Sequence, residues 1–277
     1  MSTSPYAKYP MMKILSWNSR GLGHPSKVLA LRELIHSEKP EIILIQETKL
    51  EQQEIRGIID QQKHYKGCTS DSRGAFRGIA TLWVHSKWNC TSENIHQHWI
   101  RMVLENKIDN QTTVIYNVYA PNQYREKESC WDDLKASIDG EKTINIIVVG
   151  DFNFMLHANE KRGGCFSPDP FRGRLEAIIR DHEFVDVLPK NRRYTWSNRR
   201  LGSGNIMERL DRFLINVAFL SSFTVGYTNI ISTSVSDHYP LMLTLETHCP
   251  LGLIPFKFSP LWSWDPTVRD IIQRSWN

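Results

Sequence analysis

Long hydrophobic segments are missing from this chain of 277 residues, which has no apolar run of 18 residues. A membrane-spanning helix needs a run of about that length. The N-terminal residues also lack a basic region followed by a long apolar region, so they do not match a secretory signal. We therefore expect a protein without a membrane partner, located in the nucleus or the cytoplasm and not secreted.

Cysteine is scarce, with five residues at wide, irregular spacing and no CxxC pair. This pattern argues against both a disulfide framework and a structural zinc site. The ten histidines include no HExxH pair, which argues against a zinc-protease site. The composition, at 40% hydrophobic, is sufficient for the buried core of one large α/β domain.

The hydrophobic pattern predicts many strands with helices inserted between them in a mixed order. That order favours two packed sheets flanked by helices. We predict an N-terminal extension at 1–12, a domain at 13–247 and a C-terminal extension or linker at 248–277. Predicted strands lie at 13–17, 41–45, 78–85, 99–105, 112–119, 144–149, 207–215, 225–232 and 239–246, and predicted helices at 26–38, 51–62, 124–138 and 171–182.

The net charge of +4 is unevenly distributed along the chain. Residues 190–212 hold seven Lys and Arg against two acidic residues, and seven minus two gives +5. Such a cluster is typical of a nucleic-acid partner, although a solvated basic face is the alternative. Tyr194 and Trp196 lie among these cations and favour nucleic acid, because aromatic rings can stack on bases. Trp196 could equally be a core residue.

Five short strings end in a polar residue at the point where an apolar run stops. One such string is more often a turn than a site. Together, however, strand exits that share one sheet edge would bring these oxygen-rich side chains close to each other. Such a set suits Mg²⁺, which prefers carboxylates and water. At strand ends we expect these side chains to be exposed and to contribute little to the core. The strings are SWN, IQET, GDFN, ERLDR and SDH, and they supply Asn18, Glu47, Asp151, Asn153, Asp211, Asp237 and His238.

In this order, the strings resemble the endonuclease/exonuclease/phosphatase superfamily over 13–247. Within that superfamily, six strings, two of which extend strings of the first set, look most like the endonuclease domain of plant LINE-type (non-LTR) retrotransposons. The resemblance implies an α/β fold of the DNase-I-like kind, a four-layer α/β/β/α sandwich in which two packed mixed sheets are flanked by helices. The strings are SWNSRGLG, GIATLW, VYAPN, KRGG, YTWSN and ERLDRFLIN.

The resemblance also implies roles for single residues. Glu47, with Asn18 and Asp237, would bind Mg²⁺, for which Mn²⁺ could substitute. Asp151 and Asn153 would hold the attacking water, and Tyr119 and Asn153 would donate to the phosphate. His238 would contact the scissile phosphate and be oriented by Asp211, although Asp211 could instead pair with Arg209 or Arg212. Either Asp151 or the His238 and Asp211 pair could be the base. The implied DNA contacts are Arg192, Arg193, Thr195, Trp196, Asn198, Arg199 and Arg200.

The function implied by the resemblance is Mg²⁺-dependent nicking of double-stranded DNA that leaves a 3′-hydroxyl. A reverse transcriptase domain would follow this chain in a longer polyprotein. An abasic-site repair endonuclease or 3′-phosphodiesterase is the nearest alternative. An inositol-phosphate phosphatase is disfavoured, because that family's P-x-W-C-D-R string is replaced by MERLDR at 207–212. An inactive nucleic-acid-binding relic is disfavoured because no expected acidic or histidine position is lost.

Overall fold

The structure is a computed structural model that describes residues 11–70, 78–142 and 145–247. Strands are labelled β1 to β15 and helices α1 to α5 along the chain. The first six-stranded sheet has the order β14-β15-β1-β2-β4-β3. Its strands are β1 (Met11–Asn18), β2 (Ile42–Gln46), β3 (Tyr65–Ser70), β4 (Ile79–Val84), β14 (Phe223–Ile230) and β15 (Leu241–Thr247). Strands β1 and β2 are parallel, and the other pairs are antiparallel.

The second six-stranded sheet has the order β10-β13-β8-β7-β6-β5. Its only parallel pair is β7 with β8. Both sheets are therefore mixed, and each contains one parallel pair near its centre. The strands are β5 (Trp88–Ile95), β6 (Trp99–Asn106), β7 (Thr112–Tyr119), β8 (Ile146–Asp151), β10 (Phe184–Asp186) and β13 (Asp211–Asn216).

Alternating side chains along the central strands separate the core into layers. In β8, Ile147 and Val149 belong to the cluster between the two sheets, whereas Ile146 and Val148 belong to the cluster beneath the helices. In β1, Ile14 likewise faces the other sheet, while Leu15 and Trp17 face outward. Because successive side chains of a strand point to opposite faces, both faces of each sheet are buried.

Helices cover both outer faces. On the first sheet, α1 (Pro25–Glu38) and α2 (Gln52–Asp60) contribute Leu31, Ile35, Ile55 and Ile59 to the outer cluster. On the second sheet, α3 (Tyr124–Asp139) and α4 (Arg172–Asp181) contribute residues such as Trp131 and Ile178. A short helix, α5 (Val217–Leu220), follows β13. The predicted four-layer α/β/β/α sandwich is confirmed. Among the described helices, none is long and apolar enough to span a membrane.

One predicted strand, at 207–215, proves to be two. β12 (Met207–Glu208) joins a small third sheet with β9 (Lys161–Arg162) and β11 (Trp196–Ser197), whereas β13 joins the second large sheet. The break falls at Arg209 and Leu210, whose N–H groups donate to Glu160 O and to Thr195 Oγ1. The prediction of one continuous strand is wrong because these N–H groups bond outside the ladder.

The remaining predicted elements lie close to the observed ones. The strands β3 and β5 and the short strands β9, β10 and β11 were not predicted. β5 is an edge strand with mostly exposed residues, so it lacks a hydrophobic pattern. The predicted extension at 248–277 and most of that at 1–12 lie outside the described residues. β1 already begins at Met11, two residues before the predicted domain start.

A cluster of four charged residues, three of them buried, stabilises the region around the strand break. Arg209 and Arg212 are 2% and 0% exposed, and both contact Glu160 and Asp186. Glu160 Oε1 accepts from Nη1 of Arg209 at 2.9 Å and from Nη1 of Arg212 at 2.7 Å. The cluster joins β10, β13 and the turn before β9, and it fixes the start of β13.

We predict that Glu160→Gln destabilises the protein in a pH-dependent way. Burial alone would raise the pKa of Glu160, but Arg212, Arg209 and the N–H of Leu156 lower it to about 2. Because the pKa of Glu160 is lower in the folded state than in the unfolded state, ionised Glu160 stabilises the fold at pH values above the unfolded pKa. This stability is lost as the pH falls from about 4.5 toward 2. We expect the free energy of unfolding, measured by urea denaturation, to fall by about 3 kcal/mol at pH 7. Near pH 2.5 the loss should be much smaller.

The matched control is Glu176→Gln, which removes an exposed pair between Glu176 and Arg172 on α4. Exposed pairs of this kind contribute about 0.5 kcal/mol or less. Equal destabilisation by the two variants, or the same loss at both pH values, would contradict the role given to the buried cluster.

Candidate active site

The predicted site residues lie at one edge shared by the two large sheets. Asn18 ends β1, and Glu47 directly follows β2 in the same sheet. In the second sheet, Tyr119 and Asp151 end β7 and β8 as register partners, and Asp211 lies opposite Asp151 at the start of β13. The two parallel pairs therefore bring Asn18, Glu47, Tyr119 and Asp151 together, as predicted from the strand ends. Asp211 instead begins β13, and Asp237 and His238 lie in the segment before β15, so the prediction that all these residues follow a strand is wrong.

Two backbone features hold this edge in place. Gly150 has φ +137°, and a Cβ there would lie 2.0 Å from the carbonyl oxygen of Val118, so only glycine fits beside β7. Glu47 has φ +49°, an unusual conformation for a residue with a long side chain. Strained backbone of this kind is concentrated at functional sites.

Asn18 joins the two sheets through its side-chain amide. Its Nδ2 donates to Glu47 Oε1 at 3.2 Å and to Asp151 Oδ2 at 2.7 Å. Asn18 and Asp151 are 0% exposed, Glu47 1% and His238 1%, so the expectation of exposed catalytic side chains is wrong. The two sheets close over these groups, and replacing them therefore affects the core as well as the chemistry.

His238 lies between two carboxylates. Its Nδ1 is 3.0 Å from Asp211 Oδ2, and its Nε2 is 3.7 Å from Asp151 Oδ2. Asp211 therefore partners the histidine, and the alternative that it pairs with Arg209 or Arg212 is wrong, because those arginines contact Glu160 and Asp186 instead. A carboxylate at Nδ1 fixes the orientation of an imidazole ring.

The electrostatics of this group follow from burial and mutual contact. Burial opposes the positive charge of His238, but Asp211 and Asp151 outweigh it and raise the pKa of the imidazole to about 9. Burial and the charge of Asp211 raise the pKa of Asp151 to about 7, against the opposing effects of His238 and Asn18. The two carboxylates thus favour the protonated form of the imidazole that lies between them.

Arg20 is a site residue that the sequence reasoning missed. Its Nε and Nη2 donate to the two oxygens of Asp237 at 3.0 Å each, and its Nη1 donates to Glu47 Oε1 at 3.2 Å. Burial opposes its charge, yet the hydrogen bond to Asp237 and the charge of Glu47 raise the pKa of Arg20. The signal was present in SWNSRGLG, where the cation precedes a turn glycine, Gly21, with φ +101°.

The donor set here fits a hard divalent cation such as Mg²⁺. Glu47 and Asp237 offer carboxylate oxygens, which are the ligands that Mg²⁺ prefers. Both carboxylates form ion pairs with Arg20, which shows that a positive charge can lie between them. The amide of Asn18 faces Glu47 and Asp151, and its Oδ1 accepts from the N–H of Arg20. Asp151, Asp211 and His238 form a second group whose ligand atoms lie within 4.8 Å of one another.

The cleft beside His238 has a volume of about 330 Å³ and is lined by Arg20, Asn153 and Trp196, among others. The hydroxyl of Tyr119 donates to Glu47 Oε1 at 2.9 Å. Asn153 has φ +52°, its N–H donates to Asp151 Oδ1 at 2.9 Å, and its Nδ2 donates to the carbonyl of Ala120 at 2.6 Å. Both predicted phosphate donors thus lie at the site, and each contributes to its hydrogen-bond network.

Several predicted DNA contacts have internal partners. Thr195 is 0% exposed, and its hydroxyl accepts from the N–H groups of Leu210 and Asp211 at 3.0 Å each, so it orients Asp211 and presents no surface to DNA. Trp196 Nε1 donates to Asp237 Oδ2 at 2.9 Å. The prediction of Thr195 as a direct contact is therefore not retained.

Arg199 and Asn198 have roles in loop structure. The guanidinium of Arg199 donates to the carbonyls of Thr233, Ser234 and Ser236, just before Asp237. Ser236 is itself anchored, since its Oγ donates to the carbonyl of Asn18 at 2.9 Å. Asn198 bonds to Gly204 O and to the N–H of Ile206, which closes the hairpin between β11 and β12.

The basic cluster at 190–212 is not one surface stripe. Arg209 and Arg212 are buried in the ion cluster, and Arg199 binds carbonyl groups. Arg192, Arg193 and Arg200 remain as exposed cations from the predicted set. Residues that are neighbours in the sequence point to different layers because β12 and β13 belong to different sheets.

Comparison with known proteins places the chain in a family. The model of the Endonuclease/Exonuclease/phosphatase family matches residues 15–238, and the chain belongs to this family. It is 27% identical to the DNA repair nuclease APEX1 of Danio rerio, over 88% of this chain and 85% of the relative. This agrees with the predicted superfamily, while the plant LINE subgroup stays a prediction.

Solved structures share the fold. The AP endonuclease LMAP from Leishmania major superposes with a TM-score of 0.68 and 19% identity, covering 86% of this chain and 88% of that one. The endonuclease domain of TRAS1, a telomere-specific non-LTR retrotransposon, superposes with a TM-score of 0.62 and 15% identity, covering 86% and 99%.

We predict that Arg20→Gln strengthens the binding of a divalent ion. The guanidinium competes for Glu47 and Asp237 and repels a second cation nearby. Removing one positive charge at this distance should raise Mn²⁺ affinity by about fivefold to tenfold, measured by electron paramagnetic resonance of free Mn²⁺. Arg20→Lys, which keeps the charge, should change the affinity less.

Lys49→Gln is the matched control, because Lys49 also contacts Glu47, at 3.4 Å, but its side chain is 47% exposed. Solvent screens such a charge, so a smaller gain is expected. Weaker Mn²⁺ binding in Arg20→Gln would mean that Arg20 positions the carboxylates and does not compete for them.

Proposed function

We propose that this protein is a Mg²⁺-dependent phosphodiesterase that nicks double-stranded DNA and leaves a 3′-hydroxyl, as a retrotransposon endonuclease does. The observation that carries the proposal is the single buried network of Asn18, Glu47, Asp151, Asp211 and His238 at one cleft. Membership of the family supports phosphoester chemistry. A nuclear or cytoplasmic location is part of the same proposal.

Glu47 and Asp237 are the proposed ligands of Mg²⁺, with Mn²⁺ as a substitute. When bound, the ion would polarise a phosphate oxygen and stabilise negative charge that develops during the reaction. Arg20, which contacts both carboxylates and lines the cleft, adds a fixed positive charge beside the same phosphate.

Asp151 is the proposed base for the attacking water. Asn18 and the N–H of Asn153 hold its two oxygens in place at 2.7 Å and 2.9 Å. His238 has one carboxylate near each ring nitrogen, and these two negative charges favour the protonated ring. The protonated ring is the proposed hydrogen-bond donor to the scissile phosphate. Asp211 orients the ring, and Thr195 orients Asp211.

The hairpin between β11 and β12 is the proposed reader of DNA shape. Leu201 at its tip is 94% exposed, and exposed cations such as Arg200 flank it. Apolar side chains of this kind wedge between base steps in the minor groove, with a preference for deformable sequences. The string YTWSN at 194–198, one of those that resemble retrotransposon endonucleases, leads into this hairpin.

An abasic-site endonuclease is the second candidate. It is favoured by the similarity to APEX1 of Danio rerio across most of both chains. A three-substrate assay separates the candidates, using supercoiled plasmid, a duplex with one abasic site, and an inositol phosphate, each with Mg²⁺ or with EDTA. Nicking of intact plasmid supports the proposal. Cleavage of the abasic duplex alone would replace it with the second candidate, and phosphate release alone would overturn both.

We predict that Asp151→Asn and His238→Gln each lower Mg²⁺-dependent plasmid nicking by about a thousandfold or more. These near-isosteric changes are chosen because both side chains are buried, and truncation to alanine would leave cavities. Circular dichroism should confirm folding. The control Asp132→Asn, on the exposed face of α3, should retain the wild-type rate. Near wild-type nicking by His238→Gln would contradict the site assignment.

We also predict that replacing residues 201–205 with a two-residue turn changes where the enzyme nicks but not how fast. The hairpin is clamped at its base by the pairs Trp196 with Glu208 and Ser197 with Met207, so the catalytic groups should stay in place. Mapping nick positions on a plasmid by sequencing measures the effect. A nick map identical to that of the wild type, at an unchanged rate, would exclude the hairpin as the reader.

A further inference from the structure

A second cleft lies at the opposite end of the first sheet from the catalytic residues. It has a volume of about 650 Å³, compared with about 330 Å³ for the catalytic cleft. Its walls come from the residues just before β2, the start of β3 and the end of β4, where Tyr65 lies opposite Val84. Asn18 ends β1 and Glu47 follows β2, both at the other end of the sheet. The two clefts are therefore separated by the length of a strand, about 17 Å for five residues.

Positive charge dominates this far cleft. Arg32, Lys39, Lys63 and Lys87 line it against one acid, Glu41, so four minus one gives +3. Glu41 is already engaged by the ammonium group of Lys87 and by Trp88 Nε1, the latter at 3.0 Å. Within the described part of the chain, no ion pair neutralises the other three cations. Like charges gathered in a concave surface focus a field that attracts anions.

The floor of the cleft is apolar and aromatic. Pro40 is buried, Ile35 is 9% exposed, and the half-buried ring of Tyr65 lies beside them. The hydroxyl of Tyr65 donates to the carbonyl of Pro40. Burial and the nearby Glu41 raise the pKa of Tyr65 to about 12, so the phenol adds no negative charge at neutral pH. A basic rim over such a floor is the arrangement that accommodates a phosphate backbone with its bases turned inward.

We propose that this far cleft binds single-stranded nucleic acid, independently of the catalytic cleft. Arg32, Lys39 and Lys63 contact the phosphates, and Tyr65 with Pro40 supports a base or sugar. The binding is not specific for sequence, because the cleft offers positive charge and apolar surface, and stacking tolerates every base. A nicking enzyme with this second site can hold a single strand while the duplex occupies the catalytic edge.

The test is the charge-reversal pair Lys39→Glu with Lys63→Glu in the full chain. Fluorescence anisotropy with a labelled 20-nucleotide oligo(dT) in EDTA measures single-strand affinity over a range of salt concentrations. We expect the affinity to fall roughly tenfold and the slope of log K against log salt to flatten by about 1.4, or about 0.7 per lost contact. Nicking of a short duplex should change by less than about twofold, because the catalytic edge is untouched.

The matched control is the double variant Lys142→Glu with Arg180→Glu. Both residues are exposed cations: Lys142 follows α3, and Arg180 lies near the end of α4. It changes the net charge equally, so an equal loss of oligo(dT) affinity in the control would overturn the proposal as a general charge effect. Unchanged affinity in the cleft variant would overturn it as well. Should that variant fail to fold, Lys39→Gln with Lys63→Gln tests the same contacts.

Anionic phospholipid vesicles form a further arm of the test. Binding to vesicles that the cleft variant loses, with oligo(dT) affinity retained, would overturn the proposal in favour of a membrane surface. The affinities for oligo(dT) and for vesicles are measured in EDTA and do not depend on nicking, so the far cleft and the catalytic proposal succeed or fail separately.

Discussion

The side-chain amide of Asn18 is the contact on which the site depends, because it links a carboxylate from each sheet. One amide nitrogen donates to Glu47 in the first sheet and to Asp151 in the second, and Asn18 is fully buried. Both carboxylates are buried and therefore need polar partners, which the Asn18 amide supplies to each of them, while His238 adds positive charge 3.7 Å from Asp151. The contact between the two sheets and the arrangement of the site therefore depend on the same side chain.

Beneath this contact, polar side chains align the two sheets. Gln46 donates to Asn117 Oδ1 at 2.7 Å, and Asn117 donates to the carbonyl of Ala80 at 2.9 Å, although all these groups are buried between the sheets. Gln46 precedes Glu47, and Asn117 lies two residues before Tyr119. Hydrogen bonds inside an apolar layer favour a single register, because a shift would leave buried polar groups unpaired.

Charge is arranged differently on the two sides of Asp211. On one side His238 partners it, and on the other Arg209 and Arg212 form their own cluster with Glu160 and Asp186. This separation matters for chemistry, since an arginine paired with Asp211 would compete with the imidazole. The break between β12 and β13 achieves the separation by turning the chain at Arg209 and Leu210.

The sequence by itself determined the layer architecture and indicated the candidate site residues that the structure brings together. Apolar runs with alternating faces specify buried strands. Polar residues at the ends of β1, β2 and β8 indicate one functional edge, because parallel neighbours end together. Edge strand β5 was missed since exposure removes the pattern. Tertiary structure alone decided that Thr195 is buried, that Arg199 binds carbonyls, and that Arg20 contacts Asp237. These roles depend on contacts between residues far apart in the sequence, and such contacts cannot be predicted from local composition.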